Sequence, residues 1–131
     1  MKGFVANIED ATKENENFRK VLYTAKYSQL VVMNLKPGEE IGAEVHEDHD
    51  QFFRFEKGKG KVIIDDNEYQ VEDDFAVIVP AGANHNVINT GGENLKLYTI
   101  YSPAEHREGV MHATKEDAMA DDEHFDGATT E

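Results

Sequence analysis

The stretch GAEVHEDHDQ, residues 42 to 51, places two histidines among carboxylates and ends in a glutamine. Neutral imidazole nitrogen and carboxylate oxygen are ligands for divalent transition metals, so this segment raises the question of a metal centre. Alternation decides which of its side chains can cooperate. In a strand, residues i and i+2 share a face and i+3 lies opposite, so Glu44 and His46 point the same way. His49 then points away or sits in a turn made by residues 47 to 50. Beyond that turn Gln51, Phe53 and Phe55 share one face, while Phe52, Arg54 and Glu56 share the other. Two phenylalanines beside Gln51 mark its face as interior, which lets Glu44, His46 and Gln51 converge while Glu47, Asp48, His49 and Asp50 stay in water. By itself, the segment reads equally well as a ligand set or as a solvated acidic loop.

A second segment, DFAVIVPAGANHNVIN (74 to 89), carries another histidine. Its apolar run ends at Pro80, Gly82 turns the chain, and His85 opens the next strand with Val87 and Asn89 on its face. A single histidine after a tight turn is commonly structural. Here it accompanies a segment that already holds a histidine and a carboxylate.

The elements that must position these residues are short strands. FRKVLYT (18 to 24) and SQLVVMNLK (28 to 36) precede the Pro37-Gly38 turn. The run from Ile41 to His46, then QFFRFE, KVIID, EYQVE, FAVIVP, HNVIN and LKLYTIY, continue the series to Tyr101. β-Branched and aromatic residues at this spacing, punctuated by Gly, Pro and Asn-Asp, predict an all-β sandwich or barrel. No helical period competes between residues 18 and 101. Residues 9 to 16 are polar and are expected to form a loop or one helical turn. Thr114 followed by Asp117 predicts a capped short C-terminal helix through about Met119. The acidic DDEHFDGATTE is expected to fray.

With both segments placed, the chain resembles the cupin superfamily of jelly-roll-like β-barrels. Gly38, Glu44, His46, Gln51 and Gly58 occupy the spaced positions of its first motif. Asp74, Pro80, Gly82, His85 and Asn89 occupy those of its second, with Asp74 where that motif has glycine. The resemblance implies a single cupin domain over 1–131, with a barrel core at about 18–101. An N-terminal strand or arm would cover 1–17, and a polar extension with a short helix 102–131. Cupins commonly bind metal through three histidines and a glutamate. Here the matching positions hold Glu44, His46, Gln51 and His85, so a glutamate replaces one histidine and a glutamine replaces the glutamate.

That set implies one divalent transition metal, with Fe, Mn, Ni, Co and Zn all compatible. Two imidazoles and one carboxylate with open positions form the ligand type of non-haem Fe(II) oxygenases. A dioxygenase acting on a small molecule is therefore the most concrete expectation. The alternatives are a sugar isomerase or epimerase resembling mannose-6-phosphate isomerase cupins, and a non-catalytic binder of small ligands. The isomerase reading wants an interior cation, and none is evident in the sequence. Phe53, Phe55, Val87, Asn89, and Tyr98 or Tyr101 are the candidate pocket residues, with core filling the commoner role for such side chains. Arg54 should face outward, Lys57, Lys59 and Lys61 should be solvated, and His106, His112 and His124 should lie at the surface.

Composition excludes other classes. The formal net charge of −14 repels phosphate backbones, so nucleic acid is not an expected partner. The chain has no cysteine, which removes disulfides, thiolate metal sites and cysteine nucleophiles. No apolar run is long enough to span a bilayer, and acids at Glu9 and Asp10 argue against a signal peptide. The expectation is a cytoplasmic protein with no membrane partner. It is also expected to be a homodimer, since a short barrel leaves sheet edges to cover. Cupins often pair through N-terminal strands, a role that FVANI (4 to 8) could fill.

Overall fold

The structure is a computed structural model that describes residues 1–131. Its ten strands form two antiparallel sheets. The larger contains β10 (Met111–His112), β1 (Arg19–Thr24), β2 (Gln29–Leu35), β9 (Leu95–Ser102), β4 (Asp50–Lys57) and β7 (Ala76–Val79), in that order. The smaller contains β3 (Glu44–Val45), β8 (Asn84–Asn89), β5 (Gly60–Ile64) and β6 (Asn67–Val71). Every strand expected from the sequence is present, although the run around Ile41–His46 shrinks to two residues plus a bridge from Glu40 to Ile88. β10 is an addition, too short and too polar to stand out as a strand.

Alternation builds the core between the sheets. Val31, Met33 and Leu35 from β2, Phe53 and Phe55 from β4, and Leu95, Leu97 and Tyr101 from β9 are buried on one side. Val62 of β5 and Val87 of β8 meet them from the other. Burying such side chains contributes roughly 1.5–3 kcal/mol each, so the strand period also sets the fold's stability.

Two backbone positions close the barrel's turns. Gly58 has φ +104°, and a Cβ there would lie 2.8 Å from the Asn94 carbonyl oxygen. Asp74 takes the place that cupins give to glycine, and its φ is +71°. Aspartate tolerates this left-handed region better than most residues, and its carboxylate accepts a 3.0 Å bond from Arg54 Nη2.

The ends correct the sequence reading. FVANI forms no strand, and residues 9 to 14 belong to helix α1 (Ile8–Glu14), capped by Asn7 Oδ1 accepting from the Asp10 amide. α1 packs on the outer face of β4 and β9, with Thr12 fully buried. There Lys96 Nζ donates to the Asn15 carbonyl at 2.6 Å. The C-terminal helix α2 (Lys115–Ala120) starts at Thr114, whose hydroxyl accepts from the Asp117 amide as expected. The acidic tail does not fray. The Phe125 amide donates to the Glu105 carbonyl, the Thr130 amide donates to the Thr24 carbonyl, and Tyr23 and the backbone of Lys2 and Gly3 hold the Glu131 carboxylate. Charge-assisted bonds from three donors anchor a segment too poor in apolar residues to hold itself by burial. No helix is long and apolar enough to cross a membrane.

Candidate metal centre

The site forms where β3, β4 and β8 end together. Glu44 on β3 pairs with His85 on β8, which sets their side chains side by side. His46 follows β3, and its carbonyl accepts from the Gly82 amide at 2.9 Å. Gly82 has φ +91°, so the turn after Pro80 uses glycine's freedom to lock the two histidine segments together. Asp50 Oδ1 accepts from the Ala81 amide in the same turn, which ties β4 to it.

These constraints bring ligand atoms of Glu44, His46 and His85 within 4.8 Å of one another. His46 Nε2 lies 3.0 Å from Glu44 Oε2, and His85 Nε2 lies 3.1 Å from Gln51 Oε1. Neighbouring ligands at right angles around an ion with ~2.1 Å bonds are separated by about 3.0 Å, so both spacings suit a shared ion. Hydrogen bonding at His85 points the same way. Its ring faces two acceptors, the Ala83 carbonyl at Nδ1 (3.2 Å) and Gln51 Oε1 at Nε2. Gln51 is oriented by donating through Nε2 to Thr99 Oγ1 at 3.0 Å. A neutral imidazole has one N–H and can serve only one of these oxygens. With Nδ1–H on Ala83, the Nε2 lone pair and the Gln51 oxygen face each other, a contact that a cation relieves. The residues therefore fit a divalent metal ion.

Charge states favour a metal at Glu44 and His85, whereas at His46 an ion would have to displace a tightly held proton. Burial lifts the Glu44 carboxyl, but the hydrogen bond and charge of His46, with Arg19 and His85, outweigh it and hold it below its ordinary range. Burial pushes His46 down, yet Glu44 and then Glu105 outweigh it and leave the ring above its ordinary value. His85 is lowered, chiefly by burial, which favours the neutral imidazole that a metal would need.

Several sequence expectations change here. His49 does not point into water. Its side chain is only 10% exposed, and its ring packs against His46 at 4.7 Å and Tyr101 at 5.9 Å between centroids. Of the two tyrosines, Tyr101 faces inward, whereas Tyr98 lies on the opposite face against Phe52 and is not a pocket residue. Phe53 lies 6.3 Å from the His85 ring, while Phe55 and Val87 are core filling. Asn89 is structural. Its Nδ2 donates to the Leu35 and Glu93 carbonyls, and its Oδ1 accepts from the Gly91 amide. Arg54 faces away from the core as expected, beside Glu56 and Asp74.

His106 and His112 are buried, contrary to their expected surface placement; His124 is exposed. His106 Nε2 meets the Tyr101 hydroxyl at 3.2 Å, and its Nδ1 meets Glu123 Oε1 at 2.6 Å. His112 lies between Arg19 Nη1 (3.5 Å) and Asp121 Oδ2 (3.0 Å). Arg19 itself is buried, so the interior does contain a cation, on the same face of β1 as Val21. Alternation around Val21 was the available signal for Arg19. No local signal marks His106 or Glu123. Beside the site an open depression of about 400 Å³ is lined by His46, Glu47, Asp48, His49, Glu105 and Phe125, among others.

Comparison with known proteins agrees with this architecture. The family model described as a cupin domain matches residues 31–101, and the chain belongs to the cupin family. It is 50% identical over 125 residues to YrkC of Bacillus subtilis, covering 91% of this chain and 67% of that protein. It is 40% identical over 112 residues to L612 of Acanthamoeba polyphaga mimivirus, covering 82% and 70% respectively. The crystal structure of BH2720 from Bacillus halodurans superposes with a TM-score of 0.90 at 45% identity, over 92% of this chain and 96% of that one.

Proposed function

We propose that Glu44, His46 and His85 hold one divalent transition metal, with Gln51 as a fourth ligand or the anchor of a bound water. On this reading the centre acts on a small molecule by non-haem Fe(II) dioxygenase chemistry. The observation that carries it is the convergence of two imidazoles and one carboxylate within 4.8 Å at the end of the barrel. A metal held this way supplies Lewis acidity and, as iron, reactivity toward dioxygen. The chain's own groups do the rest. Glu44 offsets one positive charge, Phe53 keeps one side of the His85 ring apolar, and Tyr101 forms a wall behind His46 and His49. The depression lined by Glu47, Asp48 and Glu105 offers an approach for the substrate.

Elemental analysis of protein purified without added metal is the first test. Oxygen uptake by the Fe(II)-loaded protein against enols, diketones and catechols is the second. One ion per chain with oxygen uptake supports the reading. An ion with no turnover but ligand-dependent thermal stabilisation supports a binding protein instead, and no ion at all rejects the centre.

Arg19 favours keeping the isomerase or epimerase reading as the second assay, because it is a buried cation whose charge acts on Glu44. Proton exchange on aldoses followed by NMR in heavy water tests it. We also propose a homodimer. FVANI, with Val5 exposed, and the edge strands β7 and β6 are candidate pairing surfaces, and Ile78 on β7 is 68% exposed. Light scattering showing a monomer at micromolar concentration would reject it.

A further inference from the structure

The C-terminal extension supplies a carboxylate that the two histidine segments do not contain. Glu105 Oε2 lies 3.5 Å from His46 Nδ1 and 2.8 Å from His49 Nε2, and these three groups lie within 4.8 Å of one another. His46 thus has a carboxylate at each ring nitrogen, Glu44 at Nε2 and Glu105 at Nδ1. A neutral imidazole gives a lone pair from one nitrogen and a proton from the other. The choice between the two orientations decides whether the Nε2 lone pair is free to face His85.

We propose that Glu105 is a positioning residue of the metal centre, accepting the Nδ1–H of His46 and so turning its Nε2 lone pair toward Glu44 and His85. The inference rests on the metal reading above. Carboxylates that accept the distal N–H of a metal-bound histidine fix its tautomer and orientation. At 3.5 Å the contact is long for a hydrogen bond, and closing it needs a shift of about half an ångström. No other acceptor stands in hydrogen-bond or ion-pair range of Nδ1.

The location of Glu105 is built rather than accidental. The buried Gln29 side-chain oxygen accepts from the amides of Glu105 and His106, while its Nε2 donates to the His106 carbonyl at 2.7 Å. The Glu105 carbonyl accepts from the Phe125 amide at 2.9 Å. β2 and the tail therefore grip this one residue from both sides. His49, whose Nε2 lies 2.8 Å from the same carboxylate oxygen, packs beside His46 with its ring centroid 4.7 Å away.

The test measures Co(II) affinity by chelator competition in the full-length wild type, Glu105→Gln, Glu105→Ala, Glu105→Asp and Glu47→Gln. His85→Ala serves as the control for the centre itself. We expect Glu105→Gln and Glu105→Ala to weaken binding about 10- to 100-fold and to alter the visible Co(II) spectrum. Glu105→Asp should recover part of the loss, and Glu47→Gln, which removes a charge from the same depression, should stay within about threefold of wild type. Nitrogen-15 spectra of the Zn(II)-loaded wild type should show His46 protonated at Nδ1. Wild-type affinity in both Glu105→Gln and Glu105→Ala overturns the proposal, as does an equal loss in Glu47→Gln. Two Co(II) ions per wild-type chain, one lost with Glu105, also overturns it, because Glu105 would then be a ligand. Should Glu105→Ala fail to fold, Glu105→Gln and the wild-type tautomer decide the matter. If His85→Ala binds as wild type does, the failure lies in the metal reading and not in the role of Glu105.

Discussion

At the residue scale, the exchange of family ligand types gives the most direct predictions. Glu44 carries the anionic charge that cupins commonly place at the position of Gln51. Replacing Gln51 with glutamate adds an anion 3.1 Å from His85 Nε2. We expect Gln51→Glu to tighten Co(II) binding at least tenfold in chelator competition. In the metal-free protein the same change buries a carboxylate beside Thr99, and the folded state should lose about 1–3 kcal/mol in denaturant unfolding. Glu44→Ala and His85→Ala should each leave purified protein without stoichiometric metal. Ligand parity was readable in the sequence for Glu44, His46, Gln51 and His85 because strand alternation fixes which side chains share a face. His49 lies in the turn between β3 and β4, one of its two expected placements, but alternation does not operate there to show that its ring is covered.

Turns and strand registers govern the next scale. Gly58 combines a left-handed backbone with a 2.8 Å approach to the Asn94 carbonyl, so Gly58→Ala must strain the backbone and shift the β4–β5 turn. A loss of about 1–3 kcal/mol in urea unfolding is expected. Asp74→Gly should cost far less in the same experiment, since glycine enters φ +71° freely and only the exposed contact to Arg54 is lost. The β9 register shows why some assignments needed the structure. Tyr98 and Tyr101 lie three apart and must face opposite ways, but the strand alone does not say which is inside. Pairing of β9 with both β2 and β4 decides it, placing Tyr101 opposite Gln29 and Gln51.

For the whole molecule, buried histidines set the pH response. His49, His85 and His106 are lowered below their ordinary value of about 6.5, each chiefly by burial. Between their folded values and 6.5 the unfolded chain binds more protons, so their contribution is full above 6.5 and is lost as pH falls through that window. His46 has the opposite sign. Its folded value is raised, so its contribution is full below 6.5 and is lost as pH rises through the folded value. Three groups against one predict that the metal-free protein melts at lower temperature at pH 5.5 than at pH 7.5, measured by calorimetry. A bound divalent ion should raise the melting temperature more at pH 7.5 than at pH 5.5, because protons compete for His46 and His85.

The sequence by itself determined the barrel, its strand order along the chain and the four residues at the family's ligand positions. It could do so because hydrophobic period and turn chemistry are local, and motif spacing follows from them. Tertiary structure alone decided that His106 and His112 are interior and that the acidic tail is anchored. It also decided that Glu105 reaches His46 across 59 positions of chain. Those contacts depend on how distant segments pack, and a polar residue carries no local mark of the partner that will bury it.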